Sequence, residues 1–124
     1  MVIGFTGTRK GMSPTQRRQF RDVMDWLIAG CSARREPSVF HHGAAVGADI
    51  EAAAVVAELW PDVRIIPNPA GGDPLGRNKR IAMSSVLIAA PSGDREQLRS
   101  GTWATIRYAR ANNRPVVALS RGPS

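Results

Sequence analysis

The 124-residue sequence has one cysteine, two histidines, one tyrosine and no apolar run approaching 18 residues. Each shortage removes a class of protein. A lone Cys31 cannot build a disulfide framework within the chain. One cysteine and two histidines fall short of a structural zinc site, so no metal is expected. Nothing is expected to span a membrane. The opening Met1-Val2-Ile3-Gly4-Phe5 has no basic segment ahead of an apolar one, so no secretion signal is expected and a cytoplasmic location is. The length fits one domain over 1–124. Such a chain buries roughly two-thirds of its unfolded surface, enough for a core without disulfide or metal staples.

Positive charge is present in excess. Seventeen Lys and Arg against ten Asp and Glu give a net charge of +7. Only Lys10 and Lys79 are lysines; the rest are arginines. The excess points to phosphate-bearing partners, a nucleotide or a nucleic acid. The skew toward Arg also fits GC-rich coding, so charge alone does not choose between ligand and background.

Hydrophobic patterning divides the chain into alternating strands and helices. Val2–Thr6 is a short apolar strand closed by Gly7. Ser13, Pro14 and Gln16 form a helix start, with a capping serine, a proline at the first helical position and a glutamine three residues after the cap. Phe20, Val23, Met24, Leu27 and Ile28 then mark one stripe of a helix expected to stop near Gly30. Arg17, Arg18 and Arg21 fall on the solvent side. Ser38–His42 is the second strand, and an Ala-rich helix over 47–60 follows it. Strand three covers 62–67, and a Pro- and Gly-rich loop leads to a short helix over 76–84. Val86–Ala90 reads as a strand buried on both faces. The last helix covers 102–112 and the last strand 115–119. Five strands alternating with helices predict an α/β Rossmann-like three-layer sandwich, its sheet mainly parallel and ordered 3-2-1-4-5.

In such a sheet a ligand sits beyond the carboxyl ends of the strands, where strand order reverses. Three segments fall there: Gly7-Thr8-Arg9-Lys10-Gly11, Gly43-Ala44-Ala45-Val46-Gly47-Ala48-Asp49, and Ser100-Gly101-Thr102 at a helix start. Small residues and free backbone N–H groups at such places suit an anion. None has the spacing of a dinucleotide fingerprint or a P-loop, and any one alone would pass for an ordinary turn.

Together these residues resemble a family. Gly7-Thr8-Arg9 is similar to the Gly-Ser-Arg after strand one in the SLOG superfamily of Rossmann-like domains. His42-Gly43-Ala44-Ala45-Val46-Gly47-Ala48-Asp49 resembles the His-Gly-Gly-Ala-x-Gly-Ala-Asp segment of its YspA-type branch. Arg77-Asn78-Lys79-Arg80-Ile81-Ala82 and the strand Val86–Ala90 resemble a stretch of the DNA-processing protein A (DprA) branch. Ser100-Gly101-Thr102 and Arg114-Pro115-Val116-Val117 match motifs of both. The resemblance runs through nearly the whole chain in order. It implies a nucleotide or nucleotide-derived ligand held by phosphate-cradling loops, with no cofactor. The residues implied are Gly7, Thr8, Arg9, Gly43, Ala44, Gly47, Asp49, Arg77, Asn78, Ser100, Gly101 and Thr102. DprA-like binding of single-stranded DNA or RNA is the alternative. LOG-like N-glycosidase action on nucleoside monophosphates is a second alternative, and homodimerisation is also implied. The hydrolase branch carries a Glu after its Gly-Gly-x-Gly-Thr; here Thr105 occupies that place. A hydroxyl brings no charge to an electron-poor sugar, so no catalytic residue is assigned. Asp49, Asp94 and Glu96 are the carboxylates that geometry would have to bring forward instead.

Several residues carry two readings. Arg9 is a phosphate clamp or an exposed loop arginine. Arg77 and Asn78 contact ligand or serve a helix start. Asp49 accepts from ribose hydroxyls or caps its helix. Trp103 packs with Ile106 or stacks a base. His41 and His42 point to opposite faces of one strand and cannot share a metal; His42 is the one expected to line the pocket.

Overall fold

The computed structural model describes residues 1–122. Five strands form one parallel sheet: β1 (Val2–Gly7), β2 (Val39–His42), β3 (Arg64–Pro67), β4 (Val86–Ala90) and β5 (Val116–Ala118). Their order is β3-β2-β1-β4-β5, an α/β Rossmann-like arrangement. Four helices connect them: α1 (Pro14–Arg34), α2 (Ala48–Leu59), α3 (Pro74–Ala82) and α4 (Gly101–Ala111). The chain winds outward from β1 to β3, then returns to β4 on the other side of β1. That reversal opens a crevice between the ends of β1 and β4, which pair from Ile3↔Val86 to Gly7↔Ala90.

Helices α1 and α2 cover one face through Phe20, Met24, Leu27, Ala52 and Val56, packed on Ile3, Phe5 and Phe40. Phe5, Phe20 and Phe40 form a ring trio with centroids 5.3 to 6.3 Å apart. On the other face, Ile81 of α3 packs with Leu87 and Ala109, and Trp103 and Ile106 of α4 pack on Ala89. Leu87, Ile88, Ala89 and Ala90 are all fully buried, as expected of a strand covered on both faces.

Helix α1 begins as its sequence dictates. Ser13 Oγ accepts from Gln16 N–H and Gln16 Oε1 accepts from Ser13 N–H. It does not stop at Gly30. A glycine inside a helix costs about 1 kcal/mol, whereas Cys31, one turn further along the Phe20–Met24–Leu27 stripe, is 1% exposed. Burial outweighs propensity, and the helix runs on until Arg35 turns left-handed at φ 52°. Arg17 and Arg21 do more than face solvent: they pair with Glu51 and Glu58 of α2.

Gln16 also has a second task. It is fully buried, and its Nε2 donates to Pro91 O (2.9 Å) and Leu119 O (3.3 Å). One side chain thereby ties the start of α1 to the exits of β4 and β5, the rim from which the crevice opens.

Candidate functional site

A cleft of about 480 Å³ lies over the carboxyl ends of the strands. Ten of the twelve residues expected from sequence line it: Gly7, Thr8, Arg9, Gly43, Asp49, Arg77, Asn78, Ser100, Gly101 and Thr102. Thr6, Lys10, Ala45, Pro74, Ile81, Ser92 and Gln97 complete the wall. The place of Lys10 beside Arg9 is the signal that would have found it. Ser92 and Gln97 belong to the polar segment after β4, which carries no local signal of its own.

Ala44 and Gly47 stand outside the lining, and the backbone gives each a conformational role. Ala44 is left-handed at φ 57°, and its N–H donates to His42 Nδ1 at 3.0 Å. Gly47 has φ 90°, and a Cβ there would collide with the carbonyl oxygens of Arg9 and Thr8. Only glycine combines that angle with so close a backbone approach. The contact pins the start of α2 against the β1 loop, where Ala48 N–H donates to Thr8 O. His42 is likewise absent from the lining. It is buried beside Phe40, and burial lowers its pKa. The neutral ring can keep Nδ1 as an acceptor for Ala44.

One end of the cleft is rich in donors. Ser100 caps α4, taking Trp103 N–H on its Oγ and Ala104 N–H on its carbonyl. The N–H groups of Gly101 and Thr102 lie in the first turn, where no intrahelical acceptor exists. The helix dipole adds partial positive charge at that end. Gly101 is open: a Cβ there would meet nothing nearer than Asn78 Nδ2, at 3.8 Å. Arg9 and Lys10 stand exposed in the wall, and among the described residues neither has an ion-pair partner.

The other end holds Arg77 and Asp49. Arg77 Nη1 donates to Gly43 O at 2.5 Å and its Nε to Asn78 Oδ1 at 2.8 Å. Asn78 therefore orients the guanidinium. The cap of α3 is Asp73, which accepts from Gly76 N–H. Asp49 is 4% exposed. It does not cap α2, whose start has no side-chain cap. Oδ2 accepts from Ala45 N–H at 3.3 Å, while Oδ1 has no partner among the described residues. Burial raises the Asp49 pKa from 3.8 to about 6. The amides of Ala45, Gly43 and Gly7 and the charge of Arg77 pull it the other way.

The remaining candidates fall elsewhere. Thr105 is buried, and its Oγ1 donates to Gly101 O at 2.9 Å within α4. Asp94 accepts from Arg121 N–H and Ser120 Oγ, and Glu96 pairs with Arg107 at 3.1 Å. Neither lines the cleft, which leaves Asp49 as its carboxylate among the described residues. Trp103 is 6% exposed and belongs to the core under α4. No group of three His, Cys, Asp or Glu residues converges as a metal site would require among the described residues. No helix among them is long and apolar enough to cross a membrane. Comparison with known proteins returned no matching family model, no matching curated protein and no matching solved structure.

Proposed function

We propose that this chain binds a nucleotide or nucleotide-derived ligand in the cleft over β1 and β4, without cleaving it. One juxtaposition carries the reading: the free N–H groups of Gly101 and Thr102 open into the same cleft as the unpaired side chains of Arg9 and Lys10. A helix start facing unpaired cations is what a phosphate group needs. The cleft volume also lies in the range of small-molecule sites. The SLOG-like motifs lend the same direction, since the segments that carry them supply most of the lining. Binding is favoured over N-glycosidic cleavage because position 105 is a neutral hydroxyl committed to its own helix. Such chemistry draws on charge placed against the developing positive sugar.

Single-stranded nucleic acid is the competing ligand, supported by the excess of arginine. A thermal-shift panel of nucleoside mono-, di- and triphosphates, dinucleotides and single-stranded DNA, at low and moderate salt, separates the two. The reading expects stabilisation by a nucleotide at both salt levels. Stabilisation by DNA alone, vanishing as salt rises, would replace it with the nucleic-acid reading.

A further inference from the structure

The segment between β3 and β4 closes on one histidine. It leaves the sheet at Asn68 and returns at Ser84, and between them it carries Pro74, Arg77, Asn78 and Ile81 of the cleft wall. His41 of β2, half-buried, touches both ends. Its Nε2 lies 2.5 Å from Ser84 Oγ, and its Nδ1 lies 3.4 Å from Asn68 Nδ2. The loop from Asn68 to α3 opens with Pro69-Ala70-Gly71-Gly72. None of those four side chains can form a hydrogen bond, so the loop depends on anchors at its ends.

A serine, a histidine and an amide in line suggest a nucleophile, but the geometry excludes one. Ser84 is 1% exposed, and its Oγ donates to Ile81 O at 2.6 Å. A Cβ at Gly4 would collide with both of those atoms. The cluster instead fixes where each hydrogen sits. Asn68 Nδ2 also faces His42 O at 3.4 Å and Ile66 O at 3.3 Å. An amide turned the other way would set its oxygen against two carbonyls. Nδ2 therefore donates to His41 Nδ1, which leaves the ring hydrogen on Nε2. Nε2–H donates to Ser84 Oγ, and Ser84 spends its own hydrogen on Ile81 O.

We infer that His41 is a proton-sensitive positioning residue for the cleft wall: neutral, it clasps both ends of the 68–84 segment, and protonated, it releases the Asn68 end. Protonation places an N–H on Nδ1, where Asn68 Nδ2 already presents one, and two donors cannot bond. The Ser84 end survives, because Nε2–H is unchanged. The loop after Asn68 then loosens together with the first turn of α3, and Pro74 and Arg77 lose their fixed places in the wall. Burial, and after it the neighbouring His42, lowers the His41 pKa from its ordinary 6.5. The clasp is therefore closed at neutral pH and opens in acid. From β1, β3 and the end of α3 the ring meets Gly4, Ile66, Asn68 and Ser84, none of which titrates. The clasp acts on the wall whatever ligand the cleft takes.

The test is an NMR pH titration of the whole isotope-labelled chain without ligand, across the range in which a histidine titrates. Long-range proton–nitrogen correlations of the rings read which nitrogen carries the hydrogen. His41 is expected as the Nε2–H tautomer at neutral pH, with a midpoint below 6.5. The backbone amides from Asn68 to Arg77 should follow that same midpoint. His42 and Asp49 also titrate in the folded chain, so His41→Gln is the control. Its amide can still donate to Ser84 Oγ but does not ionise, and the segment's response at that midpoint should be lost. Asn68→Ala removes only the labile arm and serves if His41→Gln does not fold. There the His41 ring should titrate nearer 6.5, having lost a donor that favours its neutral form, and the loop should no longer follow it. An Nδ1–H tautomer in the neutral parent would overturn the assignment of hydrogens. Segment amides that ignore the His41 midpoint, or that respond unchanged in either variant, would overturn the clasp. Every outcome is read on the ligand-free chain and stands apart from the nucleotide reading.

Discussion

Replacing Asp49 by Asn is expected to stabilise the fold at neutral pH relative to acid pH. The carboxyl of Asp49 is held at about 6 in the folded chain, against 3.8 ordinarily, chiefly because burial penalises its charge. Between those values the folded state keeps a proton that the unfolded state has released. Stability therefore falls as pH rises through that window and stays lowered above it. At about 1.36 kcal/mol per pKa unit the loss amounts to about 3 kcal/mol above pH 6. An asparagine side chain has nearly the same shape, can still accept from Ala45 N–H, and does not ionise. The substituted amide would itself lack a partner where Oδ1 now lies, a cost of about 1–3 kcal/mol that does not change with pH. The informative quantity is thus the stability difference between variant and parent, measured by urea unfolding at about pH 7.5 and again at about pH 4. Other titrating groups largely cancel in that comparison. The difference should move in favour of Asp49→Asn by about 2 kcal/mol between the two measurements, less than the full loss because an unfolded carboxyl is already partly ionised at pH 4. A difference that stays flat with pH would show that Asp49 ionises without penalty. The unmet buried carboxylate would then not exist in solution.

Gly101→Val should reduce nucleotide affinity at least about tenfold, since the side chain would project into the donor end of the cleft. Its stability should change by less than about 1 kcal/mol, because only Asn78 Nδ2 lies near; calorimetry and urea unfolding report the two separately. Gly43→Ala should abolish binding and destabilise the fold by on the order of 1–3 kcal/mol through collision with Arg77 and Asp49, read by the same pair of measurements. Gln16→Met should lower the unfolding free energy by about 2–4 kcal/mol, leaving the carbonyls of Pro91 and Leu119 unmet. Incubation with nucleoside monophosphates should release no free base, as resolved by chromatography. Release that disappears in Asp49→Asn would make the cleft's carboxylate catalytic.

The sheet is legible in the sequence because its signals are local. Apolar runs such as Val86–Ala90 and the Ser13–Pro14–Gln16 start need no distant partner to be recognised. The end of α1 is not legible, because Gly30 is a local stop signal overruled by the burial of Cys31. The cleft lining follows from topology: once strand order reverses at β1, the loops after β1, β2 and β4 have to meet. Within those loops, no local signal separates residues that face the cleft from residues that shape it. Ala44 and Gly47 share a segment with Gly43 and Asp49, yet their positive φ angles commit them to the turn. The second role of Gln16 is equally hidden, since its partners Pro91 and Leu119 lie 75 and 103 residues away. The state of Asp49 is hidden too. Its proton affinity is set by burial, and burial is a property of the assembled cleft.

A discrete phosphate-binding site for a nucleotide stands or falls on calorimetric titration of the best nucleotide from the panel at two salt concentrations. Parent chain and Arg9→Ala would be compared, with single-stranded DNA titrated alongside. A pocket built on Arg9 and the start of α4 should saturate at one nucleotide per chain with modest salt dependence, and Arg9→Ala should bind more weakly at unchanged stability. Tight DNA binding whose log affinity falls by about 0.7 per phosphate contacted for each decade of salt, with no saturable nucleotide site, would rule such a pocket out.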